Sequence, residues 1–155
     1  MLRGGGRVWR EDFVGALVRA MTMADYDEAI ALWRACEGLG LSASDEREPI
    51  ERFLARNPGH SFVARDEEAL VAALLCGHEG RRGYLHHLAV APSHRQRGLG
   101  RELVHRALGA LEQAGIGKCH LFVLSDNQEG LGFWQRVGWT ERLELRVCSR
   151  VIGAE

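Results

Sequence analysis

The sequence has no excess of charge of either sign and no long apolar run. Its 20 lysine and arginine residues against 21 aspartate and glutamate residues give a formal net charge of −1, so nothing predicts a nucleic-acid partner or an anionic membrane surface. No apolar run approaches the roughly 18 residues of a membrane helix, and no signal-peptide pattern opens the chain. We expect a cytoplasmic protein with no membrane partner.

The chain also lacks clustered metal ligands. Its cysteines lie far apart, with no Cys-x-x-Cys pair and no histidine at metal-ligand spacing from any of them: Cys36, Cys76, Cys119 and Cys148. We predict that these are reduced, mostly buried thiols. His86 and His87 are neighbours in a predicted strand, so their side chains should point to opposite faces of the sheet. We therefore expect no metal site.

Two well-known phosphate-binding fingerprints are absent. The dinucleotide fingerprint would need a third glycine after Gly98 and Gly100, but the chain has Leu103 there, and the Gly-Lys-Ser/Thr of a P-loop does not occur. What the chain has is an apolar strand from Tyr84 that stops at Ala91-Pro92. A basic, glycine-containing loop then opens directly into an amphipathic helix.

This loop has the properties of an anion-binding site. Gly98 and Gly100 remove side chains where the backbone would approach a ligand, and the helix beginning near Gly98 would present unpaired amides and the positive end of its dipole. Three arginines add positive charge around the loop: Arg95, Arg97 and Arg101. The pattern predicts a phosphate or pyrophosphate at this helix start.

The pattern of apolar residues predicts an α/β fold with helices on both faces of a mixed sheet. The predicted order is strand, helix, helix, three strands, helix, strand, helix, strand. It includes a buried strand over 118–124 and a last strand over 140–151 with Leu143, Leu145 and Val147 inward. The apolar run 69–76 predicts a central strand covered on both faces, and the segment 39–47 predicts a surface loop. Thr22 with Asp25 predicts a capping box before the first helix, and Asp126 or Asn127 is predicted to cap the last helix. A chain of 155 residues suits one domain, which we place at 16–155. Residues 1–15 are rich in glycine and arginine, and predict a disordered extension, with a functional basic arm as the alternative.

Arg95-x-x-Gly98-x-Gly100 behind a Leu-Ala-Val strand resembles the signature of the GNAT superfamily of acyl-CoA-dependent N-acetyltransferases. In that family the loop and the helix start hold the pyrophosphate of coenzyme A. Residues 126–139 look like the family's second cofactor segment, in which an asparagine precedes a helix with two aromatic residues near its end. One departure stands out, because Trp134 replaces the family's frequent tyrosine.

The resemblance covers residues from about 16 to 150 and implies a mostly antiparallel, splayed sheet. It implies acetyl-CoA as co-substrate, with the pantetheine arm along Leu88 to Val90. The residues implied to bind the cofactor are Leu88, Ala89, Val90, Arg95, Gln96, Arg97, Gly98, Leu99, Gly100, Arg101, Asn127 and Trp134.

The reaction implied by the resemblance is transfer of an acetyl group from acetyl-CoA to a primary amine of a small molecule or a protein. An alkylamine is mostly protonated at neutral pH, so a base is expected near the acyl group. Alternation places Tyr84, His86 and Leu88 on one face of the strand and His87 on the other. Similar histidine placements in the arylalkylamine N-acetyltransferases of this superfamily support His86 as the base and Tyr84 as a second catalytic residue.

Other interpretations stay open. His86 and His87 would also suit ordinary polar positions on a wet strand face, and Trp134 favours a domain that binds acetyl-CoA without turnover. A nucleotide-binding protein of another fold would use the same loop for phosphate alone. The acceptor amine is not predicted, although the loop 39–47 and Arg81-Arg82 are where selectivity is expected. A homodimer is one expected form of assembly.

Overall fold

The computed structural model describes residues 16–153, which form two compact units. One unit runs to Leu124 and the other begins at Ser125. The single domain predicted over 16–155 therefore stays a prediction. The predicted disordered extension, residues 1–15, lies outside the described residues.

The first unit is built on a five-stranded sheet in which the strands follow chain order. The strands are β1 (Ala16–Ala20), β2 (Phe62–Asp66), β3 (Ala69–His78), β4 (Gly83–Val90) and β5 (Cys119–Leu121). The first four strands pair antiparallel, and β5 pairs parallel with β4. The predicted mixed, mostly antiparallel α/β sheet is confirmed.

Four α-helices accompany the strands in the part of the chain that the structure describes. They are α1 (Tyr26–Ala35), α2 (Arg47–Arg56), α3 (Leu99–Gln113) and, in the second unit, α4 (Gln128–Arg136). Ahead of α1 the predicted capping contact forms, because the Thr22 amide donates to the Asp25 carboxylate at 2.9 Å. Gly98 precedes α3 with φ of 83°, a left-handed conformation that glycine adopts without steric cost.

Helices of the first unit cover both faces of the sheet. Leu75 and Cys76 are successive residues of β3, so their side chains point to opposite faces. Leu75 belongs to a buried cluster with Trp33 of α1, whereas Cys76 Sγ lies 4.0 Å from the carbonyl oxygen of Ala107 in α3. The predicted continuous burial of β3 follows from this cover, because each face has a helix packed on it.

The sheet splays between β4 and β5. Their ladder consists of three pairs, Gly83 with Cys119, Tyr84 with His120 and Leu85 with Leu121. The strand predicted over 118–124 is therefore too long. Phe122, just past the ladder, has 62% of its surface exposed. From His86 onward, the edge of β4 is not paired with β5.

The predicted last strand over 140–151 is wrong, because those residues form no strand in the part of the chain that the structure describes. Leu143, Leu145 and Val147 alternate as a strand would, yet 82%, 56% and 70% of their surfaces are exposed. Alternation fixes which side chains would share a face, but a strand also needs a partner that supplies ladder hydrogen bonds. No described residue supplies them.

The four cysteines are free thiols, and they differ in exposure. Cys76 is buried, Cys36 and Cys119 are partly buried, and Cys148 is exposed, which corrects the prediction that most are buried. Burial raises the pKa of the Cys76 thiol to about 12 and that of Cys119 to about 11. Among residues 16–153, no helix is long and apolar enough to cross a membrane, and no group of metal-ligand side chains is close enough to hold an ion.

Candidate functional site

A β-bulge interrupts β4 next to the splay. Ala73 faces Ala89 and Leu75 faces His86, so one residue of β3 stands opposite two residues of β4. His87 is one of those two residues and has φ of 56°. A non-glycine residue in this left-handed region is uncommon, and such residues concentrate where the surrounding structure holds them in place.

The bulge brings two histidines to the same side of the sheet. The His86 and His87 rings lie 6.3 Å apart between centroids. His86 contacts Phe53 of α2 at 6.2 Å, and His87 contacts Trp33 of α1 at 5.4 Å. The prediction that the two side chains point to opposite faces is wrong, because the extra residue of the bulge breaks the alternation of the strand.

His87 is held by a carboxylate that the sequence interpretation missed. Asp45 Oδ1 lies 2.7 Å from His87 Nε2, and the Asp45 Oδ2 atom accepts a hydrogen bond from the Ser42 amide at 2.9 Å. The Tyr26 hydroxyl donates to the Asp45 backbone carbonyl at 2.7 Å. These contacts bury Asp45, which is only 7% exposed. The segment 39–47 was predicted to be a surface loop, so the burial of this side chain was not expected. The Ser42-x-x-Asp45 spacing was the available signal.

Tyr84 and His86 share a face, as the alternation of β4 predicts. Their rings are 6.4 Å apart and nearly parallel, with an interplanar angle of 10°. Tyr84 also contacts two side chains from β5 and the residues just after it, His120 at 5.9 Å and Phe122 at 6.4 Å. An aromatic surface thus runs across the splay.

The environment of His86 favours the neutral imidazole. Burial lowers the pKa of His86, positive charge on His87 lowers it further, and the Asp45 carboxylate opposes both effects. A neutral imidazole near pH 7 has a free lone pair. His86 can therefore accept a proton in this position.

The edge of β4 beyond the ladder contains the residues implied to lie along the pantetheine arm. Ala89 is 3% exposed and packs in the cluster with Trp33, whereas Leu88 and Val90 are partly exposed. The peptide groups of this edge lie where β4 has separated from β5. An extended ligand with amide groups could hydrogen-bond to such an edge.

The loop between β4 and α3 has two left-handed residues, Gln96 with φ of 62° and Gly98 with φ of 83°. Glycine adopts this conformation without steric cost, whereas a left-handed glutamine is uncommon. Leu99 is 1% exposed and anchors the first turn of α3 in the core. The amides of the first turn, including that of Gly100, have no intrahelical partner, so this helix start can accept an anion.

The three arginines of the loop differ in their contacts. Arg95 Nε donates to the Val90 carbonyl at 3.0 Å, and Arg95 Nη2 lies 3.9 Å from Cys36 Sγ. Arg95 therefore ties the loop to the end of β4. Arg97 and Arg101 are exposed and make no hydrogen bond or ion pair to another residue of the described range 16–153, so both guanidinium groups face solvent.

A second histidine–carboxylate pair fixes the turn ahead of this loop. His94 Nε2 lies 2.7 Å from Asp66 Oδ2 at the end of β2. On the other side of the ring, Ser93 Oγ lies 2.7 Å from His94 Nδ1. The sequence interpretation did not identify this contact, since 28 residues separate the partners and neither belongs to a motif.

The second unit contains the two remaining predicted cofactor residues. Asn127 caps α4, because its side-chain oxygen accepts from the Gly130 amide at 2.9 Å. Trp134 lies within α4 and contacts Phe133 at 5.1 Å and Trp139 at 5.2 Å, both edge to face. Of the two predicted caps, Asp126 and Asn127, it is Asn127 that forms the contact, and the role of Asn127 or Trp134 in cofactor binding stays a prediction.

Known proteins share both the sequence pattern and the fold. The model of the acetyltransferase (GNAT) family matches residues 22–139. A protein named acetyltransferase from Yersinia enterocolitica is 29% identical over 135 residues, which are 87% of this chain and 95% of that protein.

Two solved structures have similar folds at low sequence identity. Ard1 from Thermoplasma volcanium has a TM-score of 0.71 at 16% identity, with 81% of this chain and 83% of that chain covered. The PaiA N-acetyltransferase from Thermoplasma acidophilum, solved with coenzyme A, also has a TM-score of 0.71, at 17% identity with 81% and 89% covered. Because the family model spans most of the sequence and both structures share the fold, this chain belongs to the GNAT acetyltransferase family.

Proposed function

We propose that the protein transfers an acetyl group from acetyl-CoA to a primary amine of a small molecule or a protein. The observation that carries this proposal is the position of His86. It is a largely buried imidazole, lies on β4 beside the splay, and has a lowered pKa because of burial and the neighbouring His87. Family membership supports the coarser activity, acetyl transfer.

The residues of the first unit suit a coenzyme A thioester. The unpaired amides at the start of α3, with Arg97 and Arg101 free to approach a ligand, would hold the pyrophosphate. The exposed peptide edge from Leu88 to Val90 would hold the pantetheine arm. The solved relative from Thermoplasma acidophilum contains coenzyme A, which supports this choice of ligand. When bound, acetyl-CoA supplies the activated acyl group, and the proposal requires no metal.

His86 would lower the cost of deprotonating the acceptor. An amine with a pKa near 10.4 costs about 4 to 5 kcal/mol to deprotonate at pH 7, so a positioned base or desolvation must contribute. His86 would accept one proton from the ammonium group, and the neutral nitrogen would then form the new C–N bond while the C–S bond of the thioester breaks. The sulfur would leave as the thiolate, and the second proton of the nitrogen would pass to solvent. Tyr84, in ring contact with His86, would orient the imidazole or the amine.

The proposal is tested by the pH dependence of thiol release from acetyl-CoA with an active amine. His86→Ala should lower turnover chiefly below the pKa of the amine, while acetyl-CoA affinity stays nearly unchanged. His105→Ala is the matched control, because His105 is an exposed histidine on α3. If His86→Ala matches the parent enzyme at every pH while Tyr84→Phe is inactive, the base is not His86.

An acetyl-CoA-binding domain without turnover is the second candidate. Trp134 favours it, because indole cannot supply the proton that the family's frequent tyrosine would give to the departing thiolate. A panel of small amines, amino acids and peptides separates the two candidates. Tight acetyl-CoA binding without amine-dependent thiol release from any member of the panel would establish the binding domain.

Acceptor choice, location and assembly are further parts of the proposal. We keep the loop 39–47 and Arg81-Arg82 as the proposed determinants of acceptor choice. Arg82 is exposed, and Glu79 accepts hydrogen bonds from the amides of Arg81 and Arg82, at 2.9 and 2.7 Å. A cytoplasmic location and a homodimer also stay as proposals, to be checked by fractionation and by the mass in solution.

A further inference from the structure

His87 has no role in the proposed reaction, yet the structure holds it in an uncommon conformation. A left-handed non-glycine residue is strained and persists where its surroundings compensate. Two contacts of His87 compensate for this strain. Its Nε2 atom lies 2.7 Å from the Asp45 carboxylate, and its ring packs against Trp33. The His87 side chain is 16% exposed and the Asp45 side chain 9%, so little water competes for the pair.

Asp45 has few other groups to balance its charge. Its carboxylate accepts from the Ser42 amide, and the Tyr26 hydroxyl binds its backbone carbonyl rather than the carboxylate. The nearby guanidinium of Arg47 lies over the Tyr26 ring and pairs with Asp27. Among the described residues, His87 is thus the one side chain with a titratable nitrogen in contact with the Asp45 carboxylate.

The same carboxylate acts on His86. The rings that surround His86 are those of His87 and Tyr84 in β4 and Phe53 in α2. The Asp45 carboxylate, which contacts the neighbouring His87 at 2.7 Å, acts to raise the pKa of His86. His120 of β5 contacts the Tyr84 ring, with 5.9 Å between the ring centroids. Asp45 is therefore the only carboxylate acting on His86 in this set, and His87 is hydrogen-bonded to it.

We propose that His87 is a positioning residue that engages the Asp45 carboxylate, and so prevents this buried anion from holding a proton on His86 or trapping the ammonium group of the acceptor. The inference rests on the proposed role of His86 as the base. An unengaged buried carboxylate near an imidazole stabilises the imidazolium form, which cannot accept a proton. With His87 in place, His86 stays neutral and Asp45 stays occupied.

The test combines His87→Asn, Asp45→Asn and the double variant. Asparagine tolerates the left-handed conformation better than most residues, and is too short and uncharged to replace the imidazole. For His87→Asn we expect kcat/KM to be about five-fold lower at pH 6.5 and within about two-fold of the parent at pH 9, because the freed carboxylate favours protonated His86. Asp45→Asn and the double variant should not show this added loss at low pH, because the anion is absent.

A direct measurement separates this inference from the proposed reaction. In the ligand-free protein, the NMR titration of His86 should move to higher pH in His87→Asn and should not do so in the double variant. His87→Gly, which removes the backbone strain, should titrate like His87→Asn if the missing imidazole is the cause. Melting temperatures of all variants confirm that they are folded.

The outcomes lead to different conclusions. Equal losses at all pH values in His87→Asn, with an unmoved His86 titration, would overturn the inference and leave His87 a structural residue. If the titration moves in this way while His86→Ala remains fully active, His87 does control His86, and it is the proposed role of His86 as the base that fails.

Discussion

The carboxylate of Asp66 lies 2.7 Å from Nε2 of His94, so the end of β2 is tied to the turn that precedes the predicted anion-binding loop. This contact should order the loop before a ligand arrives. We predict that His94→Ala weakens acetyl-CoA binding by roughly five-fold. Without the contact, the loop must become ordered when the ligand binds, and this ordering lowers the binding free energy by about 1 kcal/mol. Calorimetric titration measures the change. His105→Ala, which removes an exposed histidine from α3, should bind like the parent, and equal affinity for both variants would show that the contact does not order the loop.

Gly98 supplies the left-handed residue before α3. Acetyl-CoA at about a hundred times its dissociation constant should stabilise the parent protein by roughly 2.7 kcal/mol. Gly98→Val should remove most of this stabilisation, because a β-branched residue resists φ of 83° and would reshape the loop. Thermal melting with and without ligand measures the effect.

The control for Gly98 is Gly109→Ala. Gly109 lies inside α3, and an added Cβ there would meet no atom within 4 Å. This variant should keep the full ligand-dependent shift. A full shift in Gly98→Val as well would place the ligand elsewhere.

Asp25 should make the fold sensitive to acid. It is fully buried and accepts charged hydrogen bonds from Arg19 at 2.6 Å and Arg65 at 2.9 Å. Burial alone would raise the pKa of Asp25, but the hydrogen bonds from Arg19, the Thr22 amide and Arg65 outweigh it and lower the pKa from 3.8 to about 2. The ionised carboxylate therefore stabilises the fold above its unfolded pKa, and this contribution is lost as the pH falls through about 2.

The measurement is urea unfolding between pH 5 and pH 2. Over that range the stability advantage of the parent over Asp25→Asn should shrink by about 2 kcal/mol. Asp27→Asn is the control, because 83% of the Asp27 side chain is exposed in its pair with Arg47. A pH-independent difference between the parent and Asp25→Asn would contradict the lowered pKa.

Trp134 stands where the family commonly has tyrosine, so the proposed transferase should have no high-pH limb from a tyrosine ionisation. Indole donates a hydrogen bond without a titratable proton, and coenzyme A, as a thiol, can depart as the thiolate. Trp134→Tyr should keep activity, and its rate should fall as the new phenol ionises. The pH profile of thiol release measures this.

Trp139→Phe is the control for packing, because Trp139 contacts Trp134 at 5.2 Å. It should leave the pH profile unchanged. A high-pH limb already present in the parent protein would show that another group protonates the leaving thiolate.

Local signals in the sequence predicted most of the fold. Thr22 with Asp25, Gly98 and Asn127 each act on the backbone within a few residues, so their positions in the sequence suffice to locate helix starts. The continuous apolar run of β3 likewise predicted a strand covered on both faces, because this pattern lies within one short segment. The location of the loop before α3 and the shared face of Tyr84 and His86 were predicted in this way.

The rest depends on contacts between distant segments. The bulge at His87 is set by the register between β3 and β4, which the residues of β4 alone do not specify. Asp45 meets His87 across 42 residues of chain. For the segment 140–151 the sequence predicted a strand that does not form. Its alternation suits a strand, but the described residues supply no partner strand.

The splay between β4 and β5 also exposes a strand edge to aggregation when no ligand is bound. Past Leu85, β4 is no longer paired with β5, and free peptide groups on a strand edge are a template for pairing with another polypeptide. A ligand arm along Leu88 to Val90 would cover the same groups. The cofactor would then protect the folded protein from aggregation, and removing it would promote self-association before unfolding begins.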